Sequence, residues 1–277
     1  MGRPSLGVWY RVLRTVGELL ITAGVVVLLF VVYALYVTGF QTAERQRSAE
    51  AELDRAFAAA AAQRQRPALI RGKPFARLYV PAFGTDYRFA VVEGVGRDEL
   101  AVGPGHYPHS ALPGEPGNVA IAGHRVGRGA PFRWVDELRS CDAIVLETSR
   151  DFLVYRVLPM AGEHASWEQR RRTDPHCAQV PSLADDREYR QVLGRKVVAP
   201  DRSDAVAAVP YRADSTLPIA QRKALLTLTT SHPEYDNSQR LVIHAVLTNQ
   251  FSKDVADRDD QHGPAGYPRV LRQIGGR

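Results

Sequence analysis

A hydroxyl, an imidazole and a guanidinium stand at the ends of strand-like runs in this sequence, and together they could carry acyl transfer. From Leu225 to Leu247 the chain reads LLTLTTSHPEYDNSQRLVIHAVL: apolar and β-branched residues through Thr230, then Ser231-His232, a turn-rich loop, and Arg240 opening a second apolar run. Upstream, GNVAIAGHR at Gly117 to Arg125 is another strand-like run, and its loop carries His124. A nucleophile at a strand end, a histidine on a neighbouring loop and an arginine beginning the adjacent strand converge at one barrel rim. There His124 would exchange protons with the nucleophile and a leaving amine, and Arg240 would hold the substrate carbonyl or the developing oxyanion. Tyr107 and Tyr235 are candidates for lining a peptide groove, because tyrosine offers an extended substrate both an apolar face and a hydroxyl. Core packing accounts for either equally well. Thr230, beside the nucleophile, joins them as a substrate-binding candidate.

The choice of serine matters. A thiolate is readily populated beside an imidazolium, whereas a serine hydroxyl must lose its proton during attack, and serine sites normally include an acid that orients the histidine. No carboxylate stands in motif spacing for that role. Taken singly, Ser231, His124 and Arg240 are a turn hydroxyl, a loop residue and a strand-end charge, each more often structural than catalytic. His106, His109, His124, His232 and His244 are scattered over loops and strands in no ligand pattern, so neither a metal nor a cofactor is expected.

Positioning these residues requires strands. Short β-branched and aromatic runs alternate with turn residues, giving expected strands at Phe75–Val80, Arg88–Val92, Asn118–Gly123, Ala143–Glu147, Phe152–Leu158, Lys196–Val198, Ala224–Thr229 and Leu241–Leu247. Eight strands suit a closed barrel, so the class is mainly β with short helices; one helical turn is expected at Arg97 to Leu100, with Asp98 able to cap it. Between Pro159 and Arg195 the chain is polar and Arg-rich, an insertion read as a solvated loop decoration, with a lid or partner surface as the sharper alternative. Cys141 and Cys177 are the only cysteines. They could form a disulfide pinning this insertion or remain free thiols.

The flanks read differently. Leu19 to Phe40 is uncharged and long enough to cross about 30 Å of hydrocarbon as a helix, so 19–40 is expected to be a transmembrane anchor behind a short cytoplasmic segment, 1–18. A signal peptide would have a shorter apolar core and a small-residue cleavage site. Arginines flank the span on both sides, so an outside location for the following domain rests on the absence of a second span rather than on charge. Residues 41–73 form a stalk and linker whose Ala-rich, charged part is expected to be a solvent-exposed helix lifting the domain by roughly 35–40 Å. The domain proper is 74–250, and 251–277 reads as a flexible tail. A formal net charge of +6, with no basic block interleaved with aromatics, argues against a nucleic-acid face.

Thr227 to Ser231, TLTTS, with Arg240 nine residues after Ser231, resembles the sortase family, in which T-L-T-T-C precedes an arginine at the start of the next strand. GNVAIAGHR resembles the segment carrying that family's catalytic histidine, here His124. PFARLYVPAFGTDYRFAVVEGV at Pro74 to Val95 and GPGHYPHSALPGEPGN at Gly103 to Asn118 are similar to the actinobacterial class E sortases in particular. The resemblance implies an eight-stranded sortase-like barrel and a membrane-anchored, cell-surface transpeptidase. It would cleave an L-A-x-T-G-like sorting-signal peptide between Thr and Gly and pass the acyl group to a peptidoglycan-precursor amine. Ser231 at the cysteine position, the long insertion, and Cys141 where a turn residue such as glycine is expected depart from the pattern. The first of these opens an alternative: a sortase-like protein that binds sorting signals or partners without cleaving them.

Overall fold

The computed structural model describes residues 6–33, 38–63, 69–127, 129–253, 271 and 274, in two compact units, 1–41 and 42–277. In the first, helix α1 (Leu6–Val32) contains a stretch, Trp9–Val31, long and apolar enough to cross a membrane. It begins some ten residues earlier than composition suggested. Trp9, Tyr10, Val12, Leu13 and Val16 extend the apolar surface past the charges, and Arg14 Nε pairs with Glu18 Oε1 at 2.9 Å one turn away.

The second unit is a β-barrel. Its strands are β1 (Pro74–Tyr79), β2 (Arg88–Glu93), β3 (Gly105–His106), β4 (Gly117–Ala122), β5 (Ala143–Glu147), β6 (Asp151–Val157), β7 (Arg195–Val198), β8 (Ala224–His232) and β9 (Gln239–Ser252). The order β6-β5-β1-β2-β3-β4-β8-β9 closes through a β6–β9 pairing, so eight strands make the ring, while β7 joins β9 outside it. The expected set of eight therefore differs in one member. β3 is only two residues long and hidden in a Gly/Pro-rich loop, and the β7 segment is not a ring strand. Side-chain alternation sends Val119, Ile121, Leu226, Leu228, Leu241 and Ile243 into the barrel interior. The helical turn α3 (Arg97–Leu100) is present, but its N-cap is Gly96; Asp98 lies within the first turn and does not cap it.

Helix α2 (Thr38–Gln63) corrects the expectation of a free stalk. From Thr42 onward it lies on the outer faces of β1 and β2: Ala49, Leu53, Phe57 and Ala60 are buried on one stripe, and Gln46 bonds the backbone of Ala90 and Val102. Arg77 of β1 is held by Glu50 and Asp54 of α2, each at 2.6 Å, and by Glu147 of β5 at 2.8 Å. A stripe at i, i+4, i+8 and i+11 is narrow and half alanine, which is why average polarity concealed it. Leu53→Ala is expected to cost about 2–5 kcal/mol and lower the melting temperature of the domain by roughly 5–15 °C, read by calorimetry; a free stalk would show no shift.

The insertion likewise has a core of its own. Trp167, opening helix α4 (Trp167–Thr173), donates through Nε1 to Val180 O at 3.0 Å, and Trp167, Val180, Leu183, Tyr189 and Val192 are buried with Leu225, Val242 and Val246 on the outer face of β8 and β9. It is packed structure rather than solvated loop. Charged residues supply its surface and scattered apolar ones its base. A Cys141–Cys177 disulfide ties it to the start of β5, and Cys141 has a φ of 71°, the left-handed conformation for which a turn glycine is suited. At the other end, β9 runs to Ser252, pairing Phe251 with Phe152, and Leu271 and Ile274 are buried beside Tyr79, Val145 and Val154. Those parts of 251–277 are ordered against the barrel; the rest lies outside the described residues.

Candidate active site at the β4–β8–β9 rim

Alternation along β8 places Leu226, Leu228 and Thr230 inward and Thr227, Thr229 and Ser231 outward. β8 continues through His232, so Ser231 is a strand residue held by the ladder, directly opposite Arg240 in the antiparallel register with β9. Such partners on one face have Cβ atoms about 4.5–5.5 Å apart, close enough for a hydroxyl and a guanidinium to serve one reacting group. Ser231 and Arg240 are both half-buried.

His124 comes from the other side. β4 runs parallel to β8 with Ala122 beside Thr229, and the lacing continues past the strand end: Gly123 N donates to Thr229 O at 3.0 Å, and Thr230 Oγ1 donates to Gly123 O at 2.7 Å. Continuing that register sets His124 next to Ser231. A Cβ on Gly123 would stand 2.5 Å from the ring of buried Phe132, whose N–H in turn donates to His124 O at 3.0 Å. Only glycine allows this aromatic to brace the loop. His124 is half-buried, with Nε2 shielded from solvent.

The remaining expected residues divide. Tyr107 reaches the outer face two places from Ser231, its hydroxyl 3.0 Å from Thr229 Oγ1. Tyr235 projects from the β8–β9 loop with 85% of its surface exposed. Thr230 is a correction: it is 3% exposed, points inward and spends its hydroxyl on Gly123, so it shapes the His124 loop and does not face a substrate.

Two networks escaped the sequence reading. Under the outer face, Thr227 donates to Asn118 Oδ1 at 2.6 Å, and His244 Nδ1 lies 2.8 Å from the Thr227 hydroxyl. The single Thr227 proton is thereby spent, so His244 Nδ1–H donates, and Nε2 accepts from Tyr211 OH at 2.9 Å. This neutral tautomer is enforced by burial, and to a lesser extent by Lys196, which together push the His244 pKa down to about 3. The folded state thus refuses a proton that the unfolded chain accepts below its ordinary pKa. His244 therefore makes stability fall by about 1.4 kcal/mol per pH unit as pH drops from about 6.5 toward 3. Denaturant unfolding should show this slope in the native protein and its loss in His244→Gln. The second network centres on Arg125, buried between the two loops. Both Arg125 and His232 stood inside the quoted motifs, but nothing in their spacing signalled that they meet. His106 is also partnered: its Nδ1 lies 2.6 Å from Glu93 Oε2 and its Nε2 2.8 Å from Ser110 Oγ.

Comparison with known proteins adds a lineage. The model of the sortase domain matches residues 78–248. Sortases SrtE1 and SrtE2 of Streptomyces coelicolor are 32% and 33% identical to the chain over 151 and 168 residues, 52% and 57% of this chain. The matched parts span 42% and 66% of those relatives' lengths. Among solved structures, the SrtF sortase from Corynebacterium diphtheriae superposes with a TM-score of 0.62 at 35% identity, covering 76% of this chain and 96% of that one.

Proposed function

The chain belongs to the sortase family of transpeptidases, and from that premise we propose that it is a membrane-anchored class E-type sortase acting through Ser231, His124 and Arg240 on an L-A-x-T-G-like sorting signal. The observation that carries this reading is the register of the rim: Ser231 opposite Arg240 on β9, and the His124 loop laced to β8 on the other side. In the first step Ser231 Oγ attacks the Thr carbonyl while His124 takes its proton; Arg240 donates to the oxyanion; the Thr–Gly bond then breaks and His124 returns the proton to the departing amine. An ester joins the Thr acyl group to Ser231. In the second step the amine of a peptidoglycan precursor attacks this ester, losing a proton to His124, and Ser231 leaves as the hydroxyl. Tyr107, over Thr229, and Tyr235 on the β8–β9 loop flank the peptide's path. The anchor is α1, with the amino terminus cytoplasmic and the barrel outside.

Serine in this setting supports a division between binding and turnover. Peptide recognition does not depend on the nucleophile's identity, but deprotonating a hydroxyl requires a stronger base than deprotonating a thiol does. Fluorescence anisotropy with a labelled L-A-x-T-G peptide, followed by chromatography of the same mixture with and without an added amine, tests the reading. Sequence-dependent binding with slow cleavage is expected. Equal binding of a scrambled peptide would overturn it. Binding with no cleavage even by Ser231→Cys would favour the non-catalytic alternative.

A further inference from the structure

Arg125 is 4% exposed; it adjoins His124 in the chain and contacts His232, the residue after Ser231. Its Nη1 lies 3.1 Å from His232 Nδ1, and its Nη2 lies 2.6 Å from Asp136 Oδ2 and 3.7 Å from Glu234 Oε1. Because a guanidinium only donates, His232 Nδ1 must accept, which fixes the neutral His232 proton on Nε2. His232 follows Ser231 in the chain, and Arg125 follows His124. The residues next to the nucleophile and next to the histidine are therefore bonded to each other across the gap between the β4 and β8 ends. Asp136 supplies a fixed abutment: it lies between buried Val135 and buried Leu138, and its backbone carbonyl accepts from Arg195 of β7.

Stability alone is a poor account of this arrangement. Arg125 Nε is buried without a hydrogen-bond partner among the described residues, so the guanidinium is held at a desolvation cost that an apolar residue would avoid. What the charge supplies is directional reach in two directions at once. A planar fork can hold His232 and Asp136 together, whereas a lysine ammonium on a flexible stem would hold one of them well.

We infer that Arg125 is a positioning residue: bridging His232 and Asp136, it holds the His124 loop and the Ser231 strand end in the mutual orientation that proton transfer needs. The inference rests on the proposed site. Small errors in such an orientation cost large factors in rate while leaving substrate affinity almost untouched, so the signature is in kcat and in the ionisation of the nucleophile.

The test uses the full chain with Ser231→Cys, in which the introduced thiol is the sole free one because Cys141 and Cys177 are paired. The rate of alkylation by iodoacetamide against pH reports the thiolate directly. Beside a properly placed imidazole its midpoint should lie below the ordinary thiol value of about 8.5. Arg125→Gln should raise the midpoint by about one pH unit or more and lower kcat on a sorting-signal peptide at least tenfold, with KM changed less than about twofold. Arg125→Lys should recover only part of this. His232→Ala, which removes the bridge without emptying the buried site, should shift the midpoint in the same direction. The control is His124→Ala. If it leaves the midpoint unchanged, the site reading itself fails. A midpoint that moves with His124→Ala but stays fixed in Arg125→Gln and His232→Ala would overturn the positioning role alone.

Discussion

Replacing Ser231 by Cys is expected to raise turnover of an L-A-x-T-G-like peptide by about 10²–10⁴-fold, measured by chromatography of the released Gly-containing fragment. The factor is that commonly supplied by effective general-base help, which a thiol needs far less than a hydroxyl does. In the proposed site His124 sits on a loop braced by Phe132 and Arg240 lies opposite residue 231 across the ladder, a pairing of cationic groups that would favour a nucleophile whose charged form exists before attack. A cysteine ionises within reach of physiological pH when an imidazolium and a guanidinium are close, while serine remains protonated until the transition state. Binding of the peptide, which does not require the nucleophile to ionise, should change little between the two forms.

Removing the guanidinium should have an effect of similar size. In the Ser231→Cys background, Arg240→Ala is expected to lower kcat by about 10²–10³-fold with a smaller effect on KM, the size seen when a donor aimed at a developing oxyanion is lost. Steady-state kinetics on the same peptide separates the two parameters. Arg240→Lys should restore less than half of the lost activation free energy, because a point charge on a flexible stem does not reproduce the planar fork of the arginine opposite residue 231.

The sequence made the ring strands and the rim legible for one physical reason. Each of β1, β2, β4, β5, β6, β8 and β9 is a run of β-branched or aromatic residues bounded by turn residues, and the site sits where two such runs end. What escaped was whatever depended on partners distant in the chain. The apolar stripe of α2 is narrow enough to be lost in an average, yet Leu53 and Phe57 are buried because β1 and β2 offer a face for them. The insertion looked solvated because its charges outnumber Trp167, Val180 and Leu183, which nevertheless cover β8 and β9. β3 is too short for any periodicity. Thr230 illustrates the limit within the motif itself: a hydroxyl beside a nucleophile reads as a substrate contact until strand alternation turns it inward onto Gly123. Arg125 and His232 are separated by more than a hundred residues, and only the parallel β4–β8 pairing brings them together.

Intact-mass spectrometry of the protein after incubation with an L-A-x-T-G-like peptide and no added amine tests the central claim most directly. The Ser231→Cys form should gain the mass of the peptide's acyl portion, as a thioester mapped to residue 231. The Ser231 form should gain little, and Ser231→Cys combined with His124→Ala or Arg240→Ala should gain none. An acyl adduct that maps to any other residue, or an ester on Ser231 that accumulates as fast as the thioester, would contradict the account of a thiol-type rim carrying a serine.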